Sequence, residues 1–498
     1  MKEKRFVMVL LLIGTLGFFL RVYNLENNPI GFFCDEAFFG YNAYSLLTTW
    51  RDENGVILPF FPKTFGEPRL PVPFYMMVPA IAIFGLNEFG ARITSVILGT
   101  LSIFFFYFMV KQLTNQKVAI FSSLLLSVSG WHIHFSRQAT ENIFFSSFLI
   151  FSLTLFLSKY YFWSILCFAV TLYTYSPAML VVPIFVFLIH LSYKKYLTKE
   201  VLLKGLLIFL VLALPLFYGI ASGIMLARWK NGVGITTIEQ DPVRLAKRFT
   251  KGYLNHFSLD FLFRQGDIDF PGQAVKRYSV RGFGQLYWFQ LPLLLAGVVS
   301  LRRFPSETAK TLFILFALYP LGSSLTSNVE PWASRSIMGI IPFQILSGCG
   351  IWQIYEWVKN NRMLKYMYLA AGGLIILASI VLYQYKFHQE YPKYSADFWG
   401  WQYGPKEIIS YFESVHDNYD DLFISGAFNS PYIFIKFYSP SDCQRCQVGG
   451  LEKLDYARRQ LFALRPEEIK LDYSRINIHK IINYPNEDIA FIIFDLKK

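Results

Sequence analysis

Gly31-Phe-Phe-Cys-Asp-Glu-Ala-Phe-Phe-Gly-Tyr41 sets two adjacent carboxylates, Asp35 and Glu36, in an aromatic stretch shortly after the first apolar run of the chain. Charges this close to a membrane boundary need a partner or a chemical task, because the low dielectric beside them penalises an unmatched carboxylate. The apolar spacing of 37–50 predicts a helix lying in the interface, with Asp35 near its N-terminus and backbone donors close by. The bland alternative is a pair of ordinary loop carboxylates at head-group level.

Composition decides the setting. A chain of 498 residues that is 54% hydrophobic, 18% aromatic and 16% charged cannot hide its apolar surface in soluble domains of ordinary size. Its 51 Phe and 31 Tyr suit lipid-facing helices and aromatic belts. The net charge of +13 would fit nucleic acid only on a less apolar background, so the basic residues are assigned to topology and lipid head groups. An α-helical polytopic membrane protein is expected, with no nucleic-acid partner.

The run 6–20 follows a basic N-terminus and is not followed by a small-residue cleavage site, so it reads as an uncleaved span with its N-terminus in the cytoplasm. Further apolar runs cover 72–86, 93–110, 118–131, 142–158, 160–176, 178–192, 201–219, 286–301, 311–325, 336–357 and 364–385. Lys111, Lys117, Lys159, Lys194, Lys195, Lys199, Arg302, Arg303, Lys310, Lys359, Arg362 and Lys365 are all cytoplasmic only if 72–110 crosses once. That arrangement has about eleven transmembrane helices and puts the loops 24–71 and 220–285 outside a plasma membrane. Basic residues outnumber acids in 220–285, against the positive-inside rule, but long loops translocate largely regardless of charge.

From 386 to 498 the composition becomes that of a soluble domain. Helices are expected at 404–416 and 451–463, and strands at 421–425, 432–437 and 488–495, giving a small extracytoplasmic α/β domain after the membrane domain 1–385. Cys443-Gln-Arg-Cys446 lacks a second Cys pair, so it reads as a short disulfide rather than zinc or redox chemistry.

Several polar residues interrupt this apolar background. Glu67 and Arg69 end the first loop, and Arg92 opens a later run; each reads either as an interfacial anchor or as part of a phosphate site, to which arginine's planar fork is suited. Trp131-His-Ile-His-Phe-Ser-Arg137 places His132 and His134 poorly for a helical metal site, while Arg137 and Glu141 have the spacing of a helical ion pair. His256 and Arg264 lie among aromatics in the long loop, and Arg335 stands at the start of a run; both settings suit either a sugar-phosphate site or an interface.

These motifs, in this order, resemble the polytopic GT-C glycosyltransferases, close to glycosyltransferase family 39. That group includes protein O-mannosyltransferases and the transferase that adds aminoarabinose to lipid A. The similar stretches are Asp35-Glu36, Glu67-Pro-Arg69, Gly85 to Arg92, His134-Phe-Ser-Arg137, Tyr173-Thr-Tyr-Ser-Pro177, the His256–Arg264 region and Arg335, across 6–385. The resemblance implies an inverting transfer from a polyprenyl-phosphate sugar to a glycan, lipid or protein acceptor at the outer face. Asp35 matches the family's essential outer-loop Asp, expected here as the catalytic base with Glu36 beside it, and Glu67 and Arg69 match positions lining the donor pocket; Arg92, Arg137, Glu141, His256, Arg264 and Arg335 complete the substrate-binding set expected from their own settings. No cofactor is implied with certainty, and a divalent cation is left open. Leu70-Pro-Val-Pro73 stands where eukaryotic protein mannosyltransferases carry His-Pro-Pro, and their β-trefoil insertion is missing, which argues against protein mannosylation. The rival classes are a transporter of lipid-linked glycans, which should show internal repeats and paired broken helices, and a non-catalytic scaffold.

Overall fold

Asn87 starts a long helix, Glu88–Leu113, by accepting a hydrogen bond from the Gly90 amide. The helix runs for 26 residues, about 39 Å at 1.5 Å per residue, enough to cross a bilayer core of about 30 Å. The computed structural model describes residues 2–227, 229–270, 275–440 and 443–497.

In chain order the first helices are α1 (Lys2–Val22), α2 (Cys34–Thr49), α3 (Val72–Phe84), α4 (Glu88–Leu113), α5 (Gln116–Val128) and α6 (Gly130–Ser136). A two-stranded ribbon, β1 (Lys63–Thr64) and β2 (Glu67–Pro68), precedes α3. There follow α7 (Asn142–Leu157), α8 (Tyr161–Thr171), α9 (Ala178–Tyr193), α10 (Lys199–Ala221), α11 (Pro242–Asn255), α12 (Gln290–Ser300), α13 (Ser306–Leu318), α14 (Leu321–Ser324), α15 (Ile340–Val358) and α16 (Arg362–Tyr385).

Among the described residues six helices are long and apolar enough to cross a membrane, or seven if the bent pair α5–α6 counts as one span. α3, α7 and α8 are apolar but shorter. The protein is an integral membrane protein. Within 72–113 the chain forms one short helix and one long one, and only the long one, α4, has the length to span. The 57° bend between α5 and α6 falls at Ser129, whose hydroxyl caps the His132 amide. A side chain on Gly130 there would begin 2.5 Å from the Tyr383 ring.

α15 is almost entirely buried and forms the centre of the helical body, whereas α16 lies on its outside. Close approach is possible because α15 and α12 meet at glycines: a Cβ on Gly350 would collide with the Leu293 carbonyl, and one on Gly297 with the Leu346 carbonyl.

α2 departs from the sequence expectation. It is not laid in the lipid interface: Cys34, Glu36–Gly40, Asn42, Ala43, Ser45 and Leu46 are buried. It is packed against α3 on one side and a helix from the C-terminal region on the other.

That C-terminal region contains α17 (Tyr391–Ser395), α18 (Pro405–Val415), β3 (Asp421–Ile424), α19 (Tyr432–Tyr438), β4 (Cys446–Val448), β5 (Gln460–Leu464), β6 (Ile476–Asn483) and β7 (Ile489–Leu496). The sheet order is β4-β3-β5-β7-β6; β3 is parallel to β4 and β5, and β7 is antiparallel to both its neighbours. Two expectations are corrected. Residues 432–437 form helix α19 rather than a strand, because Pro431 starts it and Ile433, Phe434 and Phe437 share one buried face. The expected helix at 451–463 is a single 3-10 turn followed by β5, whose every residue is buried, a pattern that suits a central strand. Cys443 and Cys446 form a disulfide.

Candidate functional site

Asp35 is the second residue of α2, and its carboxylate is about a quarter exposed while its neighbours are sealed. Its partner is Arg69, with Nη2 at 3.3 Å from Oδ1. Arg69 is aimed there by the ribbon: its amide donates to the Pro62 carbonyl, and its Nε donates to Thr64 Oγ1 at 2.9 Å. From the other side Glu141 Oε1 approaches Arg69 Nη1 at 3.7 Å. Burial pulls the Arg69 pKa down, but Asp35, Glu141 and Glu67 outweigh it and hold the guanidinium above its ordinary value. Asp35, Glu67, Arg69 and Glu141 are thus brought together from three segments. Arg69 stands between the carboxylates of Asp35 and Glu141 as their cation.

A second cation at this site was not singled out from sequence. Arg277 lies with its guanidinium carbon 3.6 Å from the centre of the Phe33 ring, just ahead of Asp35. Its Nη1 donates to the carbonyls of Trp399 at 3.2 Å and Gly400 at 3.1 Å. Its own carbonyl accepts from His134 Nε2 and from the Tyr391 hydroxyl, and Trp401 Nε1 donates to that hydroxyl at 2.6 Å. Burial pulls its pKa down, but Tyr278, Cys34 and Asp35 raise it on balance. The available signal was Lys276-Arg277-Tyr278, a basic-aromatic step in the long loop 220–285. Gln402 was missed as well; its Oε1 accepts from the Cys34 amide at 3.1 Å and so fixes the head of α2.

Glu36 does not share the exposure of Asp35. It is sealed in a two-point ion pair with Arg92, and Oε1 also accepts from the Ala139 amide at 2.8 Å. Arg92 additionally donates to the carbonyls of Leu25, Glu26, Pro29 and Gly31. Arg137, expected to face a phosphate or to pair with Glu141, is fully buried and donates to the carbonyls of Leu20, Arg21, Asn24 and Asn28. Together the two arginines clamp the chain between α1 and α2. His132 sits deeper: its Nδ1 accepts from Arg21, so its Nε2 is the donor to Ser102.

His256, Arg264 and Arg335 make their contacts elsewhere. His256 is buried, with Nδ1 donating to the Gly252 carbonyl, and its own carbonyl accepts from Tyr319. Arg264 pairs with Asp260 at the surface. Arg335 donates to Thr326 and lies over the Trp332 ring.

Comparison with known proteins places this geometry. Residues 67–218 match the family described as dolichyl-phosphate-mannose-protein mannosyltransferase; the match includes Glu67, Arg69, Arg92, Arg137 and Glu141 and begins after Asp35. The structure resembles that of ArnT from Cupriavidus metallidurans in the apo state, with a TM-score of 0.57, 10% identity and coverage of 99% of this chain and 98% of that chain. The likeness in fold extends over nearly the whole of both chains. The structure also resembles that of ArnT from Cupriavidus metallidurans bound to undecaprenyl phosphate (TM-score 0.52, 12% identity, 99% of this chain and 97% of that one). The oligosaccharyltransferase of Archaeoglobus fulgidus matches with a TM-score of 0.54 and 12% identity over 89% of this chain and 64% of that chain. An uncharacterized protein of Aquifex aeolicus (strain VF5) is 28% identical over 222 residues, so the match spans 42% of each sequence.

Proposed function

We propose that this protein is an inverting glycosyltransferase of the GT-C type that moves a sugar from a polyprenyl-phosphate carrier to an acceptor at the outer face of the cell membrane. The observation that carries the reading is Asp35: a partly exposed carboxylate at the head of a helix, beside Arg69 and within the electrostatic reach of Arg277. Two similar structures support the choice of carrier, since ArnT from Cupriavidus metallidurans holds undecaprenyl phosphate and the oligosaccharyltransferase of Archaeoglobus fulgidus holds a dolichol-phosphate.

In the proposed step Asp35 accepts the proton of an acceptor hydroxyl or amine as that atom attacks the anomeric carbon. The bond from that carbon to the phosphate oxygen breaks, and the electron pair leaves with the polyprenyl phosphate. Arg69 and Arg277 stabilise the charge that develops on it. A phosphate leaving group needs no protonation, so one carboxylate suffices for a single inverting displacement. Glu36 serves by position rather than by contact, since its pair with Arg92 holds the first turn of α2. An arrangement of about eleven crossings, with the Asp35 loop and the C-terminal region outside, belongs to the same proposal.

The test is a transfer assay in nanodiscs with labelled polyprenyl-phosphate sugars, comparing wild type with Asp35→Asn. Label transfer should fall by a factor of about 10² to 10⁴, with donor binding retained. Equal transfer by both proteins would remove Asp35 from the reaction, and donor binding without transfer to any acceptor would favour a carrier of such lipids.

A further inference from the structure

α11 divides into three arcs. Leu245, Phe249, Gly252 and Tyr253 face the protein, where Arg248 donates to the Ser327 carbonyl, Tyr253 to Ala317 at 3.0 Å and Asn255 to Val329 at 3.2 Å. The outward side carries Val243, Ala246 and Leu254 on one arc, with Phe257 exposed just beyond the helix end. Beside it, turned further round the helix, are exposed Arg244, Lys247 and Lys251. The helix itself contains no acidic side chain.

This order of arcs is that of a helix lying in a membrane surface, with apolar side chains in the acyl region and basic tips at the phosphates. Its height is set by Tyr253, which reaches Ala317 near the end of the apolar helix α13. Its side of the membrane is that of Asp35, because the same loop carries Arg277 onto Phe33. It also gives the excess of basic residues in 220–285 a place that topology rules do not provide.

We infer that α11 is a docking surface for anionic phospholipid head groups in the leaflet on the Asp35 side, independently of which sugar or acceptor the protein uses. Positive charge next to an exposed apolar arc selects a negatively charged lipid surface over a neutral one. The bound lipid layer would thereby anchor the loop that delivers Arg277.

The test is amide hydrogen exchange of residues 242–255 in the full-length protein, reconstituted in nanodiscs of phosphatidylcholine alone or with about 30% phosphatidylglycerol. Exchange should be about tenfold slower with the anionic lipid. The triple variant Arg244→Glu, Lys247→Glu, Lys251→Glu should lose that difference while exchange in α15 stays unchanged. Should the variant misfold, wild type at about 0.5 M salt must show the difference shrink, since exposed charges are then screened within a few ångströms. Equal exchange in both lipid compositions would overturn the inference and leave the face to a protein partner. A difference that survives charge reversal or high salt would overturn it too.

Discussion

Glu36 and Arg92, 56 positions apart, meet through two parallel hydrogen bonds, Nε to Oε1 at 2.9 Å and Nη2 to Oε2 at 2.8 Å, with neither side chain exposed. The pair ties the first turn of α2 to α4, and the Ala139 amide adds the turn after α6 to the same carboxylate. Successive residues on a helix are rotated by about 100°, so fixing Glu36 inward also fixes the direction in which Asp35 emerges.

Removing one member of this pair should be costly. Arg92→Ala would leave Glu36 buried and uncompensated, and should destabilise the fold by about 3–5 kcal/mol. Thermal unfolding in detergent measures this directly. A variant as stable as wild type would mean that Glu36 finds water or another cation.

Arg277→Lys keeps the charge but loses the Nη1 group that donates to both the Trp399 and Gly400 carbonyls, and the planar guanidinium over the Phe33 ring. Transfer should drop at least about tenfold, with roughly 1–3 kcal/mol of stability lost through the unpaired carbonyls. A transfer assay paired with an unfolding curve separates these effects. Full activity in the lysine variant would show that a point charge is enough.

Asp267 links the long loop to the chain before α15, accepting from Ser279 at Oδ1 and from the Ala333 amide at Oδ2. Burial outweighs these bonds and raises its pKa from 3.8 to about 6. Between those values the folded protein binds more protons than the unfolded chain, so stability should fall as pH rises through that window and level off above it. Asp267→Asn should flatten this part of the pH profile of the unfolding midpoint. An unchanged slope would assign it to another group.

Gly40 marks the contact of α2 with α19, where an added Cβ would stand 2.7 Å from Phe437 Cε2. Gly40→Ala should therefore loosen the C-terminal region, at a cost of about 1–3 kcal/mol, and Phe437→Leu should recover part of it. Limited proteolysis of the C-terminal region reports the docking. Equal resistance in wild type and Gly40→Ala would mean that the ring moves aside freely.

Much of the fold was legible locally. Long apolar runs, the bilayer thickness and basic residues at run ends mark helices such as α1, α4, α10 and α16 without any tertiary information. The head of α2 was legible too, with Asp35 in its first turn. The strands and α19 were harder: a short apolar stretch such as Tyr432–Tyr438 fits either period, and only its packing against α2 selects the helix. The interfacial lie expected of 37–50 failed for a related reason. Its apolar spacing encodes a surface to be buried and does not say whether lipid or protein covers it.

The candidate site was legible in part. Composition, order of runs and the carboxylate beside the membrane are properties of the sequence by itself, since each follows from local chemistry. The partner of each charge was decided only by the tertiary structure. Arg92 found Glu36, Arg137 found four backbone carbonyls, Arg69 found Asp35 and Glu141, and Arg277 was carried to Phe33 by the distant segments that hold its backbone. A guanidinium in a low dielectric can be matched by a carboxylate, a phosphate or a row of carbonyls at comparable benefit. Which of these it meets depends on the elements that pack around it.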